Sequence, residues 1–161
     1  MFCQDTARRV VELLQEKNWR ITFAESCTGG LAAAELVGVS SASSVFDGSF
    51  VTYADSAKLR YLQVEEQAVE KHGVVSEMVA LQMAQGACRQ LDAQVGIGIS
   101  GIAGPTGAVP GKPVGTVCFG FVLGSEAFAV TKHFGDMGRN HVRQKSVEFV
   151  FETLLAHLEQ A

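Results

Sequence analysis

The stretch from residue 93 to residue 125 constrains the fold of this chain most. It holds a single charged side chain, that of Lys112, and nine of the chain's 17 glycines. Since a segment with so little charge gains from burial, we expect its apolar runs to form strands within a sheet. The runs are "QVGIGIS" (94–100), "VGTVCFGFVL" (114–123) and "EAFAVTKHF" (126–134). The last two are joined by a two-residue turn, which requires antiparallel pairing and so predicts a mixed sheet.

Helical and β-rich segments alternate over the first hundred residues. Strands are predicted at 20–24 and 45–54, and the last helix at 140–159. The other predicted helices cover residues 5–17, 29–37, 55–62, 64–73 and 77–91, with Ser76 as the cap of the last of these. This alternation predicts an α/β fold with helices on both sheet faces, a three-layer α/β/α sandwich around a mixed sheet of about five strands. Neither a linker nor a repeat divides the sequence, so we expect a single domain over residues 1–161.

Composition excludes several functional classes. The net charge of −4 argues against general nucleic-acid binding, which needs a basic surface. The sequence contains neither an apolar run of membrane-spanning length nor a signal-peptide pattern, so we expect a cytoplasmic protein without a membrane partner. The four cysteines form no C-x-x-C pair and the four histidines no H-E-x-x-H motif. We therefore expect free thiols, no catalytic metal and no cofactor.

Gly96, Gly98 and Gly101 match the dinucleotide-binding pattern G-x-G-x-x-G. That motif requires a helix directly after the glycines and an acidic residue about 20 positions later. Here three prolines follow, and Phe121 stands where the acid is needed. We therefore expect the first two glycines to permit close packing within a strand, with no dinucleotide site.

The segment "AESCTGG" (24–30) allows two interpretations. Ser26 or Thr28 can simply cap the following helix, with the glycines permitting a tight turn. Alternatively, Ser26 stands between a strand end and a helix start, where open α/β sheets bind ligands and backbone amides can stabilise an oxyanion. The residues alone leave both interpretations open.

A serine nucleophile requires a base, and no histidine has an informative neighbourhood. "FVTYADSAK" (50–58) places Tyr53 at a strand end and Lys58 in the next helical turn. A lysine serves as a base only when burial or a nearby cation lowers its pKa. The alternative is a solvated lysine on a helix surface.

Six ordered motifs resemble those of the CinA C-terminal domain family, which includes stand-alone nicotinamide-nucleotide amidases. The resemblance covers about residues 5 to 158. The motifs are "AESCTGG" (24–30), "VTYADSAK" (51–58), "HGVVSE" (72–77), "SGIAGPTG" (100–107), "KPVGTV" (112–117) and "GRNHVR" (138–143).

The resemblance implies an α/β/α sandwich, often a homodimer, that hydrolyses the carboxamide of nicotinamide mononucleotide in NAD salvage. It implies a metal-free mechanism in which Ser26 is the nucleophile, Lys58 the base, and Tyr53 orients them or relays between them. Arg139 is expected to bind the substrate phosphate, with Arg143 as the alternative and Lys112 and the 101–111 loop as further anion-binding candidates. The remaining substrate-binding residues implied are Thr28, Gly29, Gly30, Ser100 and Gly101.

Two other functional classes compete with this one. A non-catalytic nucleotide-binding or regulatory module would keep the pocket and lack turnover, although the joint presence of Ser26, Tyr53 and Lys58 argues against it. A cysteine hydrolase would use Cys27, but adjacent residues point in different directions in a strand or a helix. We therefore expect Cys27 to belong to the core and not to share a pocket with Ser26.

Overall fold

A computed structural model describes residues 1–160, which form a five-stranded sheet and six α-helices. The strands are β1 (Ile21–Glu25), β2 (Phe50–Val51), β3 (Val95–Gly101), β4 (Thr116–Leu123) and β5 (Glu126–His133). The helices are α1 (Gln4–Lys17), α2 (Leu31–Val37), α3 (Asp55–Leu62), α4 (Glu66–His72), α5 (Glu77–Leu91) and α6 (Arg139–Gln160). A short 3₁₀ helix covers Ala42–Ser44.

The sheet has the order β2-β1-β3-β4-β5. β1 pairs in parallel with β2 and β3, whereas β3–β4 and β4–β5 are antiparallel. The mixed sheet expected from the sequence is therefore confirmed. Because β1 and β3 are parallel neighbours, Glu25 lies opposite Ile99, and the carboxyl ends of both strands meet at one edge.

Helices cover both faces of the sheet. The largest core cluster joins α1, α2 and α6 to one face, where Phe23, Phe119 and Phe151 are fully buried. A smaller cluster packs α3, α4 and α5 against the other face around Leu62 and Met83. This is the predicted three-layer α/β/α sandwich.

Glycines in the central strands allow α5 to lie directly on the sheet. A Cβ atom at Gly98 or Gly120 would overlap the backbone carbonyl of Ala80 in α5, and one at Gly96 would meet Cys88. The packing role predicted for Gly96 and Gly98 is thus confirmed. A loop of residues 102–115, not a helix, follows Gly101, so the context of a dinucleotide site is missing.

Most predicted elements match within two residues, and α5 has the predicted bounds and the predicted Ser76 cap, whose Oγ accepts the Val79 amide. The strand predicted at 45–54 is the main error, since only Phe50 and Val51 form a strand beside β1, apart from an isolated bridge between Phe46 and Ile21. The residues just before Phe50 are fixed by side-chain hydrogen bonds instead. Arg20 donates to the Asp47 carboxylate and the Thr22 hydroxyl donates to the Gly48 carbonyl. The four cysteines are free thiols as expected. None of the helices within residues 1–160 is both long and apolar enough to cross a membrane.

Candidate active site

A small cleft opens at the edge where β1 and β3 end. Its volume is about 190 Å³. The sequence-predicted residues that line it are Ser26, Tyr53, Lys58, Ser100, Gly101 and Arg139. Residues 26 and 53 to 58 are brought together because the Thr52 amide donates to the Glu25 carbonyl at 2.9 Å, so that the chain leaving β2 runs beside the turn after β1.

Ser26 and Lys58 are in direct contact. The Lys58 Nζ lies 3.1 Å from the Ser26 Oγ. The same nitrogen donates to the backbone carbonyls of Thr52 at 2.8 Å and Tyr53 at 3.0 Å. A neutral amine has two N–H donors and one lone pair. When both N–H groups of this neutral form bond to the two carbonyls, its lone pair faces the serine hydroxyl; in the charged ammonium form, Nζ donates all three bonds.

Lys58 is almost completely buried, with 1% of its surface exposed. Burial lowers the pKa of Lys58 below its ordinary value of 10.5, because the charged ammonium loses its hydration; the negative charge of Asp55 opposes this shift. A solvated surface lysine, the alternative interpretation of this residue, is therefore wrong.

Tyr53 contributes to this arrangement differently from what the sequence suggested. Its side chain is 62% exposed and its hydroxyl accepts a bond from Arg139 at 3.0 Å. Because Ser26 and Lys58 touch directly, the tyrosine hydroxyl does not lie between them as a relay. Tyr53 contacts Lys58 only through its backbone carbonyl, which accepts a bond from the Lys58 Nζ.

Arg139 spans the outer rim of the cleft. Besides the Tyr53 hydroxyl, its guanidinium donates to the Gly104 carbonyl at 2.8 Å. It also lines a neighbouring depression of about 590 Å³ at the start of α6, together with Phe2, Asn140, His141 and Arg143. Arg139 thus separates the cleft from a larger, cation-lined surface.

Glu25 caps the helix that follows Ser26, a role that neither Ser26 nor Thr28 fills. Its buried carboxylate accepts the amides of Ala32 at 2.9 Å and Ala33 at 3.1 Å. The sequence-based assignment of the cap to Ser26 or Thr28 is therefore wrong, and the serine hydroxyl is left to Lys58. Glu25 carries no local sequence signal for this role, because capping side chains normally stand next to the helix start, whereas this one lies six residues before it.

The glycines of the turn permit its tight shape, as expected, but the residues that line the cleft do not include Gly29, Gly30 or Thr28, which the resemblance implied as substrate-binding. Gly29 and Gly30 adopt φ values of 58° and 102°, which side-chain-bearing residues rarely adopt. The Gly29 amide donates to the Ser26 carbonyl at 3.0 Å, closing the turn around the serine. Thr28 is fully buried, and its Oγ1 has no hydrogen-bond partner among the described residues.

Arg143 faces the same turn from α6. Its Nε donates to the Cys27 carbonyl at 2.9 Å, and a terminal nitrogen donates to the Thr28 carbonyl at 3.2 Å. The other terminal nitrogen donates to the side chain of Asn140 at 3.0 Å.

Of two further predicted site residues, one lies at the cleft and the other does not. Ser100, at the end of β3, lines the cleft and donates to the Val74 carbonyl at 2.8 Å, which leaves its oxygen free to accept. Lys112 instead donates to the His72 carbonyl and lines a separate groove with Thr116 and His133. The structure therefore does not bring Lys112 to the cleft.

Cys27 belongs to the core, as expected, but it also touches the cleft. The expectation that it would not share a pocket with Ser26 is wrong, because both residues lie in a turn and not in a strand or helix. Burial, with the charge of Glu25, raises the pKa of its thiol to about 12, so the thiol stays protonated near neutral pH. A thiolate nucleophile is disfavoured at this position.

Asp55 and the apolar residues Val74, Val75 and Ala103 complete the walls. Asp55 has a sequence signal, as the acidic first residue of the helix that carries Lys58, but the apolar residues have none. Within residues 1–160, no three His, Cys, Asp or Glu side chains are grouped so that they could hold a metal ion.

Comparison with known proteins relates this chain to relatives of two lengths. A "CinA-like protein" of Syntrophobacter fumaroxidans is 46% identical over 86% of this chain, which spans about a third (32%) of that relative. The "Nicotinamide-nucleotide amidohydrolase PncC" of Enterobacter agglomerans is 42% identical over 88% of this chain and 87% of its own length. The chain is thus similar both to part of longer proteins and to nearly all of a short one.

Solved structures share the fold over its full extent. A competence-damaged protein (CinA) superfamily protein from Klebsiella pneumoniae 700603 superposes with a TM-score of 0.94 at 32% identity, covering 100% of both chains. The competence/damage-inducible protein CihA from Agrobacterium tumefaciens gives a TM-score of 0.93 at 35% identity, covering 99% of this chain and 96% of its own. The family model for the CinA C-terminal domain matches residues 3–158. The chain belongs to the CinA C-terminal domain family.

Proposed function

We propose that this protein is an amidohydrolase that converts nicotinamide mononucleotide to nicotinate mononucleotide and ammonia, with Ser26 as nucleophile and Lys58 as base. The observation that carries the proposal is the buried contact of 3.1 Å between the Lys58 Nζ and the Ser26 Oγ. The name of the Enterobacter agglomerans relative supports the substrate, since the similarity covers most of both chains. The reaction would place the protein in NAD salvage.

The reaction proceeds in two halves. The Ser26 Oγ attacks the carboxamide carbon while neutral Lys58 accepts the hydroxyl proton, and the Thr28 and Gly30 amides stabilise the oxyanion, since the Gly29 amide is bonded to the Ser26 carbonyl. The C–N bond then breaks, and ammonia leaves with the proton returned by Lys58. Water attacks the acyl-serine, Lys58 takes its proton, and the acid is released as the proton returns to Ser26.

The size of the cleft indicates how the nucleotide lies. Sites that enclose a small molecule usually measure about 300–1,000 Å³. At about 190 Å³, this cleft holds the reacting amide and its ring, so the ribose phosphate must extend outwards past Arg139. The neighbouring depression begins at that arginine, which would bind the phosphate at the boundary.

The direct test is ammonia release from nicotinamide mononucleotide by the purified protein. We expect turnover by the wild type, loss of activity in folded Ser26→Ala, and most of the activity retained in Cys27→Ala. Nucleotide binding without ammonia release would favour the non-catalytic module, and loss of activity in folded Cys27→Ala would favour the thiol. The homodimer remains a prediction, which light scattering on the same sample would check.

A further inference from the structure

Arg139 and Arg143 lie one helical turn apart at the start of α6, yet their guanidinium groups bond to different parts of the molecule. Arg139 contacts the rim residues Tyr53 and Gly104. Arg143 points at the turn after β1 and donates to the carbonyls of Cys27 and Thr28. The sequence offered both arginines as phosphate ligands, but only Arg139 borders the cleft.

We propose that Arg143 is a positioning residue that holds the Ser26 turn in its reactive shape, a role that rests on the proposed function. The C=O and N–H of a trans peptide point in opposite directions. By holding the carbonyls of Cys27 and Thr28, the guanidinium therefore also sets the directions of the Thr28 and Gly29 amides.

The second of those amides ties the clamp to the nucleophile. The Gly29 amide donates to the Ser26 carbonyl at 3.0 Å, and the Ser26 amide donates to Ile99 of β3 at 3.0 Å. Arg143 thus completes a chain of contacts in which one end of the serine is fixed by the sheet and the other by α6. The planar guanidinium with its several fixed donors can hold two adjacent carbonyls at once, which a lysine ammonium does less well.

Burial makes this clamp hard to replace. Cys27 and Thr28 are 6% and 0% exposed, so water has little access to their carbonyls. The Thr28 carbonyl keeps a second donor, the Leu31 amide at 3.1 Å, when Arg143 is removed. The Cys27 carbonyl depends more on Arg143, so we expect the peptide between Cys27 and Thr28 to reorient in its absence.

The kinetic test compares Arg143→Ala and Arg143→Lys with Arg8→Ala, an exposed arginine on α1 paired only with Asp5. Since a displaced nucleophile costs up to about a hundredfold in rate, we expect kcat of Arg143→Ala to fall roughly ten- to a hundredfold with KM changed less than about twofold. The loss should be equal on nicotinamide riboside, which has no phosphate. Guanidinium ion should partly restore Arg143→Ala, and Arg8→Ala should match the wild type.

A rise in KM confined to the mononucleotide would overturn the proposal and make Arg143 a phosphate ligand, as would unchanged kcat in the folded variant. Amide hydrogen exchange of residues 26–31 without substrate gives a second test that does not need activity. We expect faster exchange there in Arg143→Ala than in Arg8→Ala, and equal exchange would contradict the clamp. If Arg143→Ala does not fold, Arg143→Gln, which keeps a neutral donor, takes its place in both measurements. Absence of ammonia release by the wild type would refute the proposed function but leave the exchange result valid.

Discussion

The turn after β1 (residues 26–30) and the loop after β3 (residues 102–115) follow parallel neighbouring strands at the same edge of the sheet. Both are rich in glycine, and the sequence made both candidates for binding an anion. In the turn, Glu25 holds the amides of α2 and Arg143 holds the carbonyls of Cys27 and Thr28. In the loop, every residue from Pro105 to Gly111 is exposed.

The difference lies in what surrounds each segment. The turn is held by Arg143 of α6 and by the buried carboxylate of Glu25. The loop contacts the cleft only near its beginning, through Ala103, and Arg139 donates to its Gly104 carbonyl. Glycine content alone therefore does not identify a reactive segment. We expect changes at the turn to reduce catalysis strongly and changes at the loop tip to have little effect.

The largest effect is expected at Lys58, which serves the turn. Lys58→Ala should lower kcat/KM by about 10²–10⁴-fold, the usual contribution of a general base. Lys58→Arg should fail as badly, because a guanidinium stays protonated and supplies no lone pair. Circular dichroism would confirm folding of both variants before ammonia release is measured. An active Lys58→Arg enzyme would reduce Lys58 to an electrostatic role.

Arg139 bonds to the loop at the Gly104 carbonyl and to the Tyr53 hydroxyl, and it should have the next largest effect. A charge-assisted contact to phosphate contributes roughly 1.5–3 kcal/mol, which corresponds to about one to two decades in rate. Arg139→Ala should therefore lose about that much kcat/KM on the mononucleotide and much less on the riboside. Equal losses on both substrates would show that Arg139 acts on the ring, the ribose or Lys58.

A Glu25→Gln variant tests whether the cap of α2 also supports catalysis by Ser26. Glu25→Gln keeps the shape but replaces one acceptor oxygen with an NH₂ group, so one helix amide loses its partner. We expect a loss of about 1 kcal/mol in the free energy of unfolding, typical of a helix cap, and a fall of about tenfold in kcat. Urea denaturation and ammonia release measure the two. Full activity with reduced stability would limit Glu25 to a structural role.

The smallest effect is expected at the loop. Lys112 lies in a separate groove and bonds to the His72 carbonyl. Lys112→Ala should therefore leave kcat/KM on the mononucleotide within about twofold of the wild type, since exposed contacts of this kind contribute little. A specific loss on the mononucleotide, absent on the riboside, would mean that the loop reaches the phosphate after all.

Much of this fold is predictable because local signals and packing agree. The helix 77–91 has its Ser76 cap and apolar face, and the glycines of β3 mark the contact with α5. The strand predicted at 45–54 is too long because the β-forming residues there do not reveal which of them pair with β1. Ser26 and Lys58 stood out by type and position, but their contact depends on the parallel pairing of β1 with β2. The roles of Glu25 and Arg143 depend on which backbone groups the fold brings within hydrogen-bond distance of their side chains. Local sequence does not indicate those contacts.

The central claim is that Lys58 is neutral when it takes the proton of Ser26. Because burial lowers the pKa of Lys58, kcat/KM should rise with pH and level off at a pKa clearly below the ordinary 10.5. NMR titration of the Lys58 Nζ in the free enzyme, set beside the pH profile of kcat/KM, tests this most directly. We expect the two to give the same lowered pKa. A Lys58 that titrates at or above 10.5, or an acidic limb that does not follow it, would contradict the mechanism.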